Sequence, residues 1–173
     1  SPQGGVVWKD VLVPGYPHIG RIFRLEQGLA QQFRRPFWVE EKVDGFNVRL
    51  FRSGGAMVAL SRGGYVCPFA TDRAPDFVDP AIFEAHPDLV LCAELAGPDN
   101  PYTQGGPSFV PEDVALFVFD MMRLGRPGFL GAEERQGLCE RFGLPTPRLF
   151  GRFEVRDWRR VLGIVEALDA DGR

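Results

Sequence analysis

A lysine set between acidic residues and followed by an Asp-Gly pair is the strongest chemical signal in this chain: Glu40-Glu41-Lys42-Val43-Asp44-Gly45-Phe46-Asn47-Val48-Arg49. Lys42 is one of only two lysines, the other being Lys9, and arginine supplies the remaining eighteen of the twenty basic residues. The two cations are not equivalent. A guanidinium stays charged and does not attack, whereas a lysine amine can lose its proton and become a nucleophile. Three further elements follow in order: Ser61-Arg62-Gly63-Gly64, Ala93-Glu94-Leu95-Ala96-Gly97 and Phe117-Val118-Phe119-Asp120. Each ends or borders an expected strand, so all four are placed to line one groove.

In such a groove a lysine amine would attack a nucleotide α-phosphate in line and expel pyrophosphate. Nearby cations would help by lowering its pKa. Arg62 offers a planar fork for phosphate. Glu94 can accept from ribose hydroxyls, and Phe119 can stack on a purine face. Taken singly, each residue has a plainer reading. Lys-x-Asp-Gly also describes a hairpin turn with a solvated lysine. Arg62 reads equally as a surface charge, Glu94 as a strand-end ion-pair partner, Phe119 as core and Asn47 as a solvated amide. The ordered set carries the chemistry. No Gly-x-x-x-x-Gly-Lys-Ser/Thr or Gly-x-Gly-x-x-Gly phosphate loop occurs.

The elements that must hold these residues are legible in outline. Ile22, Phe23, Leu25, Leu29 and Phe33 recur at roughly helical spacing, which predicts a helix over 21–35 ended by Pro36. Its outer face carries Arg21, Arg24, Arg34 and Arg35, a solvated face or, less simply, an RNA contact. Residues 37–43 and 46–51 read as two strands about a tight Asp44-Gly45 turn, with Phe46, Val48 and Leu50 on one face and Asn47 and Arg49 on the other. Further strands are expected over 56–60, 89–95 and 114–121, a short helix within 71–88, and helices over 132–142 and from Asp157 to Leu168. The sum is an α+β fold with helices packed on antiparallel sheets.

Composition sets the bounds. The 173 residues are 45% apolar, a globular value that suits one domain. No apolar run reaches membrane-spanning length, and the start lacks a signal-peptide pattern, so a cytoplasmic protein with no membrane partner is expected. Cys67, Cys92 and Cys139 are widely spaced and His18 and His86 isolated, which predicts buried thiols and no protein metal site. The net charge of −3 argues against bulk nucleic-acid affinity. It is uneven, however: residues 1–62 hold nine Lys and Arg against five Asp and Glu, so a phosphate site fits the N-terminal third.

The four elements resemble motifs I, Ia, III and IIIa of the covalent nucleotidyltransferases: DNA ligases, RNA ligases and mRNA capping enzymes. Pro14-Gly15-Tyr16-Pro17, the Lys42 segment, Ser61-Arg62-Gly63-Gly64 and Glu94-Leu95-Ala96-Gly97-Pro98-Asp99-Asn100-Pro101-Tyr102 are most similar to the homodimeric ATP-dependent RNA ligases of archaea and some thermophilic bacteria. The resemblance covers roughly residues 11–145. It implies a nucleotidyltransferase (ATP-grasp-like) domain, here incomplete. All of 1–173 would be the N-terminal part of one adenylation domain, and residues 1–36 a lead-in with a helix.

The resemblance also assigns roles. Lys42 is the expected AMP acceptor, and Asp44 positions it and metal-bound waters. Glu40, or the backbone of Glu41, Lys42 and Val43, contacts adenine. Asn47 and Arg62 serve phosphate and ribose, Glu94 holds the ribose, and Phe119 stacks on adenine. ATP with Mg²⁺ or Mn²⁺ is the implied cofactor set, and single-stranded RNA with 5′-phosphate and 3′-hydroxyl ends the implied partner, sealed within one strand as a circle or between ends. Asn47, five residues after Lys42, favours RNA over DNA. A DNA ligase, a capping-type enzyme and a non-catalytic nucleotide- or RNA-end-binding module are the alternatives. The family's motif IV, its lysine-bearing motif V and its C-terminal dimerisation region do not occur in the chain, so a piece of a longer, homodimeric enzyme is expected.

Overall fold

A computed structural model describes residues 4–171. Two short strands, β1 (Val6–Trp8) and β2 (Val11–Val13), precede helix α1 (Leu25–Gln32). Then come β3 (Phe37–Glu40), β4 (Phe46–Ser53), β5 (Ala56–Ser61), α2 (Pro68–Arg73) and α3 (Ala81–Ala85). Strands β6 (Leu89–Ala96), β7 (Ala115–Arg123) and β8 (Arg126–Phe129) follow, and then α4 (Ala132–Arg141), β9 (Leu149–Phe153) and α5 (Trp158–Ala170). The fold class is α+β, with antiparallel sheets and flanking helices. No helix among the described residues is long and apolar enough to cross a membrane.

The chain forms two compact units, Ser1–Pro17 with Val43–Thr146 and His18–Lys42 with Pro147–Arg173. The first is built on a five-stranded sheet in the order β5-β4-β6-β7-β8, every pair antiparallel. Alternation along its strands produces two faces. Val48 and Leu50 of β4, Leu91, Ala93 and Leu95 of β6, and Leu116 and Val118 of β7 join Ile82 and Phe83 of α3 and Leu138 of α4 in the main core. The opposite face carries Phe51, Leu60, Val90, Cys92 and Met122, packed against Val13 and Tyr16. Full burial of each such Leu, Ile or Phe is worth about 1.5–3 kcal/mol.

The second unit pairs β3 with β9 in a two-stranded antiparallel sheet. Leu29 of α1, Phe37, Phe153 and Val161 of α5 form its core. Helix α1 is shorter than the expected 21–35. Arg24 and Phe33 at its two ends are extended, at φ −126° and −112°. Phe23 lies outside the helix and is 89% exposed, so it drops out of the expected apolar stripe, whereas Ile22, Leu25 and Phe33 pack onto the core.

The expected hairpin about Asp44-Gly45 does not form. Strand β3 pairs only with β9, while β4 lies between β5 and β6. Asp44-Gly45 therefore leads into β4 of the five-stranded sheet instead of closing a hairpin with β3, and the glycine has a different reason. A Cβ at Gly45 would sit 2.3 Å from the Leu95 carbonyl oxygen, so close backbone approach requires its absence. Asn100 fixes the same carbonyl with a 2.8 Å hydrogen bond from its buried Nδ2, and Tyr102 stacks on Phe46 with centroids 4.3 Å apart. The end of β6, with Glu94, is thereby held in place.

Candidate functional site

The first unit brings four of the expected residues to one sheet face. Register pairs Asn47 of β4 with Glu94 of β6, and Glu94 with Phe117 of β7. The next row is Arg49, Cys92 and Asp120. Arg62 follows directly after Ser61, which pairs with Val48, so it emerges from the edge strand beside Asn47. Asn47 carries a buried Oδ1 with no hydrogen-bond partner. A buried acceptor of this kind costs free energy while it lacks a donor.

Phe119 reaches this face through an irregularity that alternation could not predict. The β6–β7 ladder shifts register between Cys92 and Ala93, so Cys92 pairs with Asp120 but Ala93 with Val118. The extra residue is Phe119, and the bulge turns both Phe119 and Asp120 toward the same face. Backbone groups freed by the bulge find partners. Val118 N donates to Pro145 O at 2.8 Å, and the buried Arg135 of α4 donates to the Phe119 carbonyl.

Tyr16 and Arg49 also belong to this region, although the sequence reading gave them no role. Tyr16 is buried. Its hydroxyl donates to Asp120 Oδ2 at 2.9 Å and its ring meets Phe119 edge-on at 5.4 Å. Arg49 has no solvent exposure, and its guanidinium donates to the carbonyls of Pro14, Gly4 and Ser61. Burial pulls its pKa below the ordinary arginine value. One cation thus ties the segment bearing Tyr16 to the end of β5 that precedes Arg62, while Arg62 Nη2 lies 3.5 Å from the Pro17 carbonyl. Their only sequence signal was position: Tyr16 in Pro14-Gly15-Tyr16-Pro17, and Arg49 on the Asn47 face of β4.

Burial and then Asp120 raise the Tyr16 pKa above its ordinary 10.0. A folded-state pKa above the unfolded one means the stabilisation is full below the unfolded value and declines as pH climbs past it. Stability is therefore expected to fall as pH rises above about 10 in urea titrations, and Tyr16→Phe to remove part of that slope. An unchanged slope in the variant would contradict this environment for the phenol. Cys92, fully buried next to Asp120, also has its thiol pKa pushed up, chiefly by burial.

Glu40, Glu41 and Lys42 belong to the second unit. Glu40 ends β3, and Glu41 is buried with its backbone N–H donating to Arg148 O at 2.8 Å. Lys42 is exposed and is the last residue of its segment. The buried Val43 and exposed Asp44 open the next stretch of the first unit. The described residues contain no group of three or more His, Cys, Asp or Glu arranged to hold a metal.

Known proteins are similar along nearly all of this chain. The "Putative ATP-dependent DNA ligase from Aquifex aeolicus" superposes with a TM-score of 0.97 at 50% identity, covering 99% of this chain and 48% of that one. An archaeal ATP-dependent RNA ligase superposes with a TM-score of 0.88 at 39% identity, covering 94% and 44%. Uncharacterized protein MJ0414 of Methanocaldococcus jannaschii is 31% identical over 166 residues, 94% of this chain and 42% of the relative. The chain thus spans a little under half the length of the proteins it matches. A sequence model described as RNA ligase matches residues 35–171, and the chain belongs to the RNA ligase family.

Proposed function

We propose that this chain is the nucleotide-binding part of an ATP-dependent RNA ligase whose covalent carrier is Lys42. The observation that carries the reading is the single sheet face bearing Asn47, Glu94, Phe119 and the strand end at Arg62, in a chain of the RNA ligase family. ATP is the substrate. Phe119, buttressed by Tyr16, stacks on adenine; Glu94 accepts from ribose hydroxyls; Asn47 and Arg62 serve the phosphate and ribose region, where the Arg62 fork matches phosphate oxygens. Glu40 and the backbone of 41–43 contact the base, and Asp44 orients the amine.

The reaction then runs in three displacements. Deprotonated Lys42 Nζ forms a P–N bond to the α-phosphorus while the α–β P–O bond breaks, and pyrophosphate leaves with the electron pair. A 5′-phosphate oxygen of RNA next attacks the same phosphorus, and the lysine departs and regains a proton. A 3′-hydroxyl finally attacks the activated 5′-phosphate, and AMP leaves as the phosphodiester forms. Mg²⁺ or Mn²⁺ neutralises the triphosphate when bound. The three cysteines are buried and outside any disulfide, as suits a reducing cytoplasmic compartment. The parent enzyme is read as a homodimer, able to close circles or join separate ends.

A DNA ligase is the second reading, favoured by the name of the Aquifex relative at 50% identity. Competition experiments on the full-length protein separate the two. ATP should outcompete GTP for covalent labelling, and 5′-phosphorylated RNA ends should be sealed in preference to matched DNA ends. Equal or better sealing of DNA would overturn the RNA assignment.

A further inference from the structure

The two compact units differ in charge. The unit of 18–42 and 147–173 holds eleven Lys and Arg against eight Asp and Glu, whereas the other holds nine against fifteen. A polyanion is repelled by most of one unit and attracted to the other. Within the basic unit a cavity of about 510 Å³ is lined by Phe33, Pro36 and Val155 together with Arg34, Arg35 and Arg156. All three arginines are exposed, while Phe33 is half-buried and lies tilted on Phe37 with centroids 4.4 Å apart. Arg34 donates to the Ala30 carbonyl, which brings no countercharge. Arg156 pairs with Glu154, also in the wall, at 2.9 Å but keeps 80% of its side chain exposed. The groove therefore presents three guanidinium groups against one carboxylate, around an apolar, partly aromatic base.

We propose that this groove docks the sugar-phosphate backbone of single-stranded RNA. This rests on the RNA ligase reading. Guanidinium forks match phosphate oxygens in pairs, and a half-buried ring lining a cationic groove offers a stacking surface to a base. The same unit carries more exposed arginines laid on aromatic rings: Arg148 over Phe150 at 5.0 Å and Arg159 over Trp158 at 5.1 Å. Stacking of this kind occupies the guanidinium plane and leaves its N–H edge for a phosphate.

The test uses the full-length protein carrying Arg34→Glu, Arg35→Glu and Arg156→Glu together. Covalent labelling from ATP alone involves no RNA and is expected to stay at the wild-type level. Affinity for a fluorescent single-stranded RNA should fall more than about tenfold, and the salt slope of log K should shrink by about 2, as three single-strand phosphate contacts are lost. Arg35→Gln with Arg156→Gln, a milder variant that guards against misfolding, should shrink the slope by about 1. Unchanged RNA affinity and slope in both variants would overturn the proposal. So would intact RNA binding with a changed oligomeric state, which would mark the groove as a protein contact. Absence of covalent labelling in the wild type would strike the ligase reading instead, and the RNA measurement would still decide the groove.

Discussion

Full-length protein carrying Lys42→Ala should take up no label from α-labelled ATP and should fail to seal 5′-phosphorylated RNA, a loss of at least about 10³-fold. Synthetic RNA already bearing 5′-linked AMP should still be joined by the same variant, because the last displacement needs no amine. Lys42→Arg keeps the positive charge and still forbids attack, so it should behave like the alanine variant. That contrast separates nucleophile from mere phosphate anchor. An anchor would be substantially replaced by arginine. Gel analysis of labelled protein and of ligated RNA reads both halves of the prediction. Wild-type labelling in Lys42→Ala would remove Lys42 from the chemistry.

Arg49→Leu should produce the largest loss of stability of any single change near the site. The guanidinium is wholly buried and supplies the carbonyls of Gly4, Pro14 and Ser61, while its Nε already lacks a partner. Leucine fills much of the volume but takes the guanidinium away from the Gly4 and Pro14 carbonyls, whereas the Ser61 carbonyl keeps the Gly64 N–H at 2.9 Å. Leaving a buried carbonyl without its donor costs about 1–3 kcal/mol, so two of them cost about 2–6 kcal/mol. For a chain of this size that is a fall in Tm of roughly 10 °C, measurable by calorimetry. Arg49→Lys should fall between, since one ammonium cannot reproduce the fork. The same ties hold the Tyr16 segment and the strand end before Arg62, so KM for ATP should rise in both variants. A Tm within about 2 °C of wild type would show that water or neighbouring groups replace the guanidinium easily.

The sequence was readable where pattern is local and regular. Alternation along 46–51 placed Asn47 and Arg49 on the face opposite Val48 and Leu50, and the structure has them there. The strand ending in Glu94 and the helix over 132–142 also lie close to their expected places, with Gly143 at φ +59° after α4. What escaped depends on partners distant along the chain. The short strands β1, β2, β8 and β9 gain their identity from pairing, and β9 takes the place beside β3 that local turn chemistry assigned to β4. The Asp44-Gly45 turn was misread because a glycine needed for close approach to Leu95 has the same spelling as one needed for a hairpin. Phe119 was expected to stack on a base, but its route to the site, a bulge held by Pro145 and Arg135, has no spacing signal at all. The role of Tyr16 depends on Asp120, 104 residues away.

The most direct measurement is intact-mass and peptide-level mass spectrometry of full-length protein incubated with ATP and a divalent cation. One AMP group per chain, acid-labile as a P–N bond must be and confined to the peptide that contains Lys42, is the predicted result. An adduct on any other residue, or none in protein that binds ATP, would contradict the account.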